Sequence, residues 1–118
     1  MVVRQGGVYW ADLGEPRGAG PGHKRPCVVL QNNAFNRSAL RTVMVSLLTT
    51  NLRRATDPGN VLLDEGEGGL PQRSVVNISQ VLTLDKGLLE DHIGTLSHAR
   101  VRQILQGLRL ITEPRDLE

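Results

Sequence analysis

The chain predicts a mainly β fold: a compact, mostly antiparallel sheet or small barrel, closed by a helix at the C-terminal end. Three observations predict it. Short apolar runs rich in Val, Leu and Ile alternate with glycine- and proline-bearing turns as far as Asp85. The period then changes, and Val101, Ile104, Leu105, Leu108 and Ile111 recur at helical spacing on one face. The length, 118 residues, suits one core, so a single domain over residues 1–118 is expected.

The elements follow in order. Residues 7–13 (GVYWADL) carry β-branched and aromatic side chains between glycines and form the first strand. Residues 14–25 (GEPRGAGPGHKR) hold four glycines and two prolines, a flexible loop of a length that is unusual unless it has a function. Pro26–Gln31 and Arg41–Thr49 are continuous apolar runs of the buried-strand type, separated by a polar turn at Asn32–Ser38. Asn60–Asp64 is a short strand, and EGEGGLP after it is turn. Arg73–Ser79 and Gln80–Asp85 read as two further strands with little between them, followed by a short helical turn near Lys86–Glu90. Ser97 can cap the final helix, because its hydroxyl can accept a free first-turn N–H, and Pro114 ends it.

Composition excludes several classes. No run of about 18 apolar residues exists to span a membrane. The opening MVVRQGG lacks an apolar stretch behind a basic start, so no secretory leader is expected. Cys27 is the only cysteine, so no intrachain disulfide can form, and a reducing cytoplasm is the expected compartment. His23, His92, His98 and Cys27 fall at no metal-ligand spacing, so no metal and no cofactor is expected. Cys27 lies in an apolar run and reads as a buried, inert thiol, not a nucleophile. No phosphate-binding P-loop is present, and the glycines at 18, 20 and 22 precede a strand, the wrong context for dinucleotide binding.

The charge is uneven. Residues 1–54 carry eight basic and two acidic side chains; residues 55–118 carry six basic and ten acidic. Twelve of the fourteen basic residues are arginine, whose planar fork of donors matches phosphate oxygens better than a lysine ammonium does. With only Tyr9, Trp10 and Phe35 aromatic, a nucleic-acid partner would be held mainly through phosphates and polar contacts, with little stacking. Arg25 sits where the glycine loop re-enters a strand, beside His23 and Lys24. Thr49 ends another strand, followed by Thr50 and then Arg53-Arg54. Hydroxyls and guanidinium groups at strand ends suit a phosphodiester.

Residues 6–13 (GGVYWADL), the glycine loop, and residues 24–32 (KRPCVVLQN) resemble the opening of the MazF/PemK (Kid) family of toxin endoribonucleases. Asn36-Arg37, residues 42–49, Asn60-Val-Leu-Leu63, Ser74–Asn77, Gln80–Lys86 and Ile93–Leu96 continue the likeness over residues 4–112. The resemblance implies an SH3-like small barrel with a C-terminal α-helix, normally a homodimer. It implies metal-independent cleavage of single-stranded RNA by attack of the ribose 2′-OH on its own phosphate, leaving a 2′,3′-cyclic phosphate and a 5′-OH. Arg25 matches the family's catalytic arginine and Thr49 its catalytic Thr/Ser, with Thr50 one residue away. Lys24, Arg53, Arg54, Ser74, Asn77 and Gln80 are candidate RNA contacts, and His23 is a candidate acid or base, because an imidazole exchanges protons near neutrality. One departure stands out: Ala19 and Gly20 occupy the frame where the family loop often reads Ser-Glu. An acidic, partly disordered antitoxin that folds over the cationic groove is the implied partner. A gyrase-poisoning toxin of the CcdB type and an inactive nucleic-acid-binding barrel are the alternatives.

Overall fold

The computed structural model describes residues 2–16, 18–20 and 22–115; Arg17 and Pro21 of the glycine loop lie outside the described residues. Six strands form one antiparallel sheet: β1 (Gly7–Asp12), β2 (Lys24–Val29), β3 (Thr42–Thr49), β4 (Val61–Leu63), β5 (Ser74–Asp85) and β6 (Leu89–Thr95). Their spatial order is β4-β5-β3-β2-β1-β6, and the sheet curls into a half-barrel. A short helix α1 (Asn33–Asn36) links β2 to β3, and the long helix α2 (His98–Thr112) follows β6. No described helix is long and apolar enough to cross a membrane.

Both faces of the sheet are apolar, which is why β2 and β3 read as unbroken hydrophobic runs. One face, here the helix face, buries Val8, Val28, Leu48 and Val76 against Ile104 of α2. The opposite face buries Tyr9, Ala11, Cys27, Val29, Val43, Val45 and Leu47. The capping prediction holds in detail: Ser97 is the N-cap of α2, and its hydroxyl accepts from Arg100 N. α2 lies close on the chain before β4. A Cβ added at Gly107 would sit 2.1 Å from the carbonyl oxygen of Gly59. Below the N-terminus of α2, Arg100 is gripped by Glu67 through two 2.9 Å bonds. That pairing holds the Glu67 carboxyl below the usual carboxylate range.

Two expectations about β structure need correction. Residues 73–79 and 80–85 belong to one strand, β5, with an irregular middle. β3 pairs Ser46 with Val81 and the next residue, Leu47, with Asn77, so Ile78, Ser79 and Gln80 bulge out of the ladder. The bulge lets Leu82 and Leu84 pack into the opposite-face core. Near residues 86–90, the helical turn is a single 3-10 turn at Lys86–Leu88, and Leu89 already begins β6. Only Leu89 is buried in that edge strand; Glu90, Asp91 and His92 face solvent. Its hydrophobic signal is therefore weak.

Candidate nucleic-acid site

The site is set by strand parity. Successive side chains on a strand point to opposite faces, so register decides which residues can meet. β2 and β3 pair Cys27 with Leu47 and Val28 with Ser46. The ladder ends at Cys27–Leu47, and by alternation Arg25, two residues before Cys27, and Thr49, two residues after Leu47, lie on the side that carries those two residues. The Arg25 guanidinium donates from Nη2 to the carbonyl oxygen of Leu48 at 3.1 Å. One of its five N–H groups is thus anchored to β3 and four remain for a ligand. The Thr49 hydroxyl oxygen accepts from Asn51 N at 3.1 Å, which leaves its own proton free to donate.

Parity also separates residues that the sequence places together. Lys24 is one residue off Arg25 in β2 and faces the other way, while Thr50 lies past the end of β3 in a bend. The Lys24 ammonium sits 3.0 Å from Glu90 of β6, whose carboxylate raises the lysine pKa. Ser74 pairs with Leu63 on the helix face, is only 4% exposed, and spends its hydroxyl on the carbonyl of Gln72. Neither Lys24 nor Ser74 joins Arg25 and Thr49.

Arg53 and Arg54 lie on an exposed 3-10 turn (Leu52–Thr56) directly after Thr49. The side chain of Asn51 caps this turn by accepting from Arg53 N. Arg54 reaches Asp57 at 3.4 Å, while Arg53 has no ion-pair partner among the described residues. Asn77 pairs with Leu47 on the Arg25 side, and it meets Gln80 in the β5 bulge at 3.2 Å. Asn60, which the sequence reading passed over, bridges the two groups: it donates to the carbonyl of Arg54 and to Asn77. Nothing in its local sequence marks it, since it opens an ordinary short strand.

The glycine loop closes at a neck. Leu13 N donates to the carbonyl of His23, and His23 N donates to the carbonyl of Gly14. His23 has φ +61°, the one positive φ among the described non-glycine residues. Histidine is among the residue types that tolerate this left-handed turn. Cys27, beside Arg25 on the opposite-face core, is fully buried, and burial pushes its thiol up to about 12. It is no nucleophile at neutral pH. Among the described residues, no three His, Cys, Asp or Glu side chains cluster as metal ligands would.

Residues 4–112 match the model of the PemK-like, MazF-like toxins of type II toxin-antitoxin systems. The chain belongs to that family. Endoribonuclease MazF6 of Mycobacterium tuberculosis is 38% identical over 113 residues, covering 96% of this chain and 99% of the relative. Endoribonuclease EndoA of Bacillus subtilis is 33% identical over 110 residues, covering 93% and 94%. Among solved structures, a mycobacterial endoribonuclease in complex with its cognate antitoxin superposes with a TM-score of 0.76. It is 29% identical and covers 96% of this chain and 98% of that one. The half-barrel with its C-terminal helix is therefore the MazF fold, which was the fold expected from the sequence.

Proposed function

We propose that this MazF-like toxin is a metal-independent endoribonuclease of single-stranded RNA, with Arg25 and Thr49 as its catalytic residues. The observation that supports the reading is that a forked cation, bonded to the Leu48 carbonyl next to Thr49, and a hydroxyl with a free proton lie on one side of two neighbouring strand ends. The ribose 2′-oxygen attacks the adjacent phosphorus, the P–O2′ bond forms and the P–O5′ bond breaks. The 2′-oxygen gives its proton to solvent water and the departing 5′-oxygen takes one from it, so no net proton is gained or lost. Negative charge gathers on the non-bridging oxygens in between. Four free guanidinium N–H groups and the Thr49 hydroxyl proton are the donors that meet this charge on the proposed reading, and fixed donors of this kind are the usual source of catalysis in such steps.

Arg53 and Arg54 supply phosphate contacts beside the cut, and Asn77 and Gln80 face the bases. The protein acts in the cytoplasm as a twofold homodimer whose paired surfaces make a shared basic groove. An acidic, partly disordered antitoxin fills that groove in place of RNA, matching carboxylates to the guanidinium groups. The named antitoxin complex of the mycobacterial relative supports this arrangement.

The test is incubation of the purified protein with mixed-sequence RNA in EDTA, with the new ends sequenced. Cuts ending in 2′,3′-cyclic phosphate and 5′-OH are expected, with DNA of the same sequence spared for want of a 2′-OH. Intact RNA, with DNA gyrase inhibited instead, would overturn the reading.

A further inference from the structure

Asn60, Asn77 and Gln80 form a chain of three amides whose polarity is dictated by the backbone. Ile78 N can only donate, and it donates to Asn60 Oδ1 at 2.9 Å. The carbonyl of Arg54 can only accept, and it takes a proton from Asn60 Nδ2 at 2.9 Å. Asn60 is therefore locked, and its second amide proton points to Asn77 Oδ1 at 3.4 Å. The Ser79 hydroxyl also donates to Asn77 Oδ1, at 2.9 Å. Asn77 must then present Nδ2 to Gln80, and Gln80 answers with Oε1 at 3.2 Å. The outcome is a half-exposed Gln80 whose Nε2, with two donor protons, has no partner among the described residues.

We infer that Gln80 selects a keto base, guanine or uracil, at one position beside the cut, and that Asn60 sets this choice by fixing the direction of the amide chain. The position is right for a neighbouring nucleotide. Asn77 pairs with Leu47, two residues from Thr49, so the bulge begins roughly 7 Å along the strand from the proposed scissile phosphate. At the exocyclic position, C6 of a purine or C4 of a pyrimidine, guanine O6 and uracil O4 accept while adenine N6 and cytosine N4 donate; the ring acceptors beside it, N7 of either purine and N3 of cytosine, do not make this distinction. Nε2 set against that exocyclic group therefore favours guanine or uracil; a wild type that cuts equally beside all four bases would show that Nε2 meets a ring acceptor instead, and would overturn the inference. Asn60 is a positioning residue, acting through Asn77. The inference rests on the endoribonuclease reading above.

The test uses the full chain and a randomised RNA pool, with cut sites read by sequencing. Wild type should favour G or U over A or C at one position by roughly tenfold or more, within the discrimination a well-placed base contact supplies. Gln80→Glu keeps the acceptor toward Asn77 but turns the free donor into an acceptor, and should invert that preference toward A or C. Asn60→Asp still accepts from Ile78 N but cannot donate; Asn77 and then Gln80 should turn over, moving the preference at the same position in the same direction. A merely structural Asn60 would lower the melting temperature and the rate without changing the recognised base. An unchanged keto preference in Gln80→Glu overturns the inference, whatever Asn60→Asp does. Affinity for uncleavable 2′-O-methyl oligonucleotides carrying each base gives the same comparison, so a chain that fails to cut RNA sinks the proposed activity without deciding this point.

Discussion

Removing the Arg25 guanidinium should separate chemistry from folding, because the structure gives it one bond to the fold and leaves the rest for the ligand. Arg25→Ala deletes the donor to the Leu48 carbonyl at a half-buried strand end. A single such bond is worth about 1 kcal/mol, so the melting temperature should fall by only about 3–5 °C for a chain of this size. Cleavage should fall far more. Losing one preorganised charge-stabilising donor costs about 10²–10³ in rate, equivalent to roughly 2.7–4 kcal/mol of barrier. Arg25→Lys should recover less than about tenfold, since one ammonium cannot hold the Leu48 carbonyl and fork across two phosphate oxygens. The assay is single-turnover cleavage of a short RNA containing the recognised word, in EDTA, beside a thermal melt of each variant. A folded Arg25→Ala that cuts within about threefold of wild type would refute the reasoning and place the chemistry elsewhere.

Thr49, the last residue of β3, keeps a free hydroxyl proton on the Arg25 side: Thr49→Val should slow cleavage by at least about tenfold, and Thr50→Val, past the strand end, should stay within about twofold in the same initial-rate assay. Gly107→Ala should destabilise the fold by about 1–3 kcal/mol in urea unfolding, because the new methyl meets the Gly59 carbonyl. That net cost should appear despite the roughly 1 kcal/mol that alanine adds to helix propensity. The depressed Glu67 carboxyl fixes the sign of a pH effect: its pairing with Arg100 stabilises the fold at neutral pH and is lost as pH falls through the depressed folded value. Unfolding free energies at pH 7 and below pH 4 should therefore converge for wild type and Glu67→Gln as acid is added. A gap that widens in acid would contradict it.

The fold was legible where both sides of a strand are buried. β2 and β3 announce themselves as unbroken apolar runs, and the period change at Ser97 marks α2 without ambiguity. β6 was not legible, because an edge strand with Glu90, Asp91 and His92 toward water shows no alternation to count. The break in β5 was half legible: residues 73–85 are evidently β, but nothing local says that three residues leave the ladder at Ile78–Gln80. At the site, Arg25 and Thr49 could be nominated from the family resemblance, yet only strand alternation shows that the two share a side. Ser74 illustrates the converse. Val75 and Val76 are both buried, so the sequence around it carries no parity signal, and the hydroxyl turns out to lie on the helix face. Asn60 and the Glu67–Arg100 grip are long-range pairings between segments that look ordinary alone.

The neck at Leu13, Gly14 and His23 has a consequence for how such a toxin can diversify. Two backbone bonds tie the ends of the glycine loop together before the chain enters β2. They use no side chain of the loop itself. Exchanges within the loop are therefore expected to leave the frame in which Arg25 meets β3 in place, provided Gly22 is kept, since a Cβ there would collide with Pro16. On the proposed reading, the residues that cut and the glycine loop are separable modules joined at a clasp. Loops grafted from relatives at Gly14 and His23 should move the set of transcripts attacked while the chemistry of the cut stays the same.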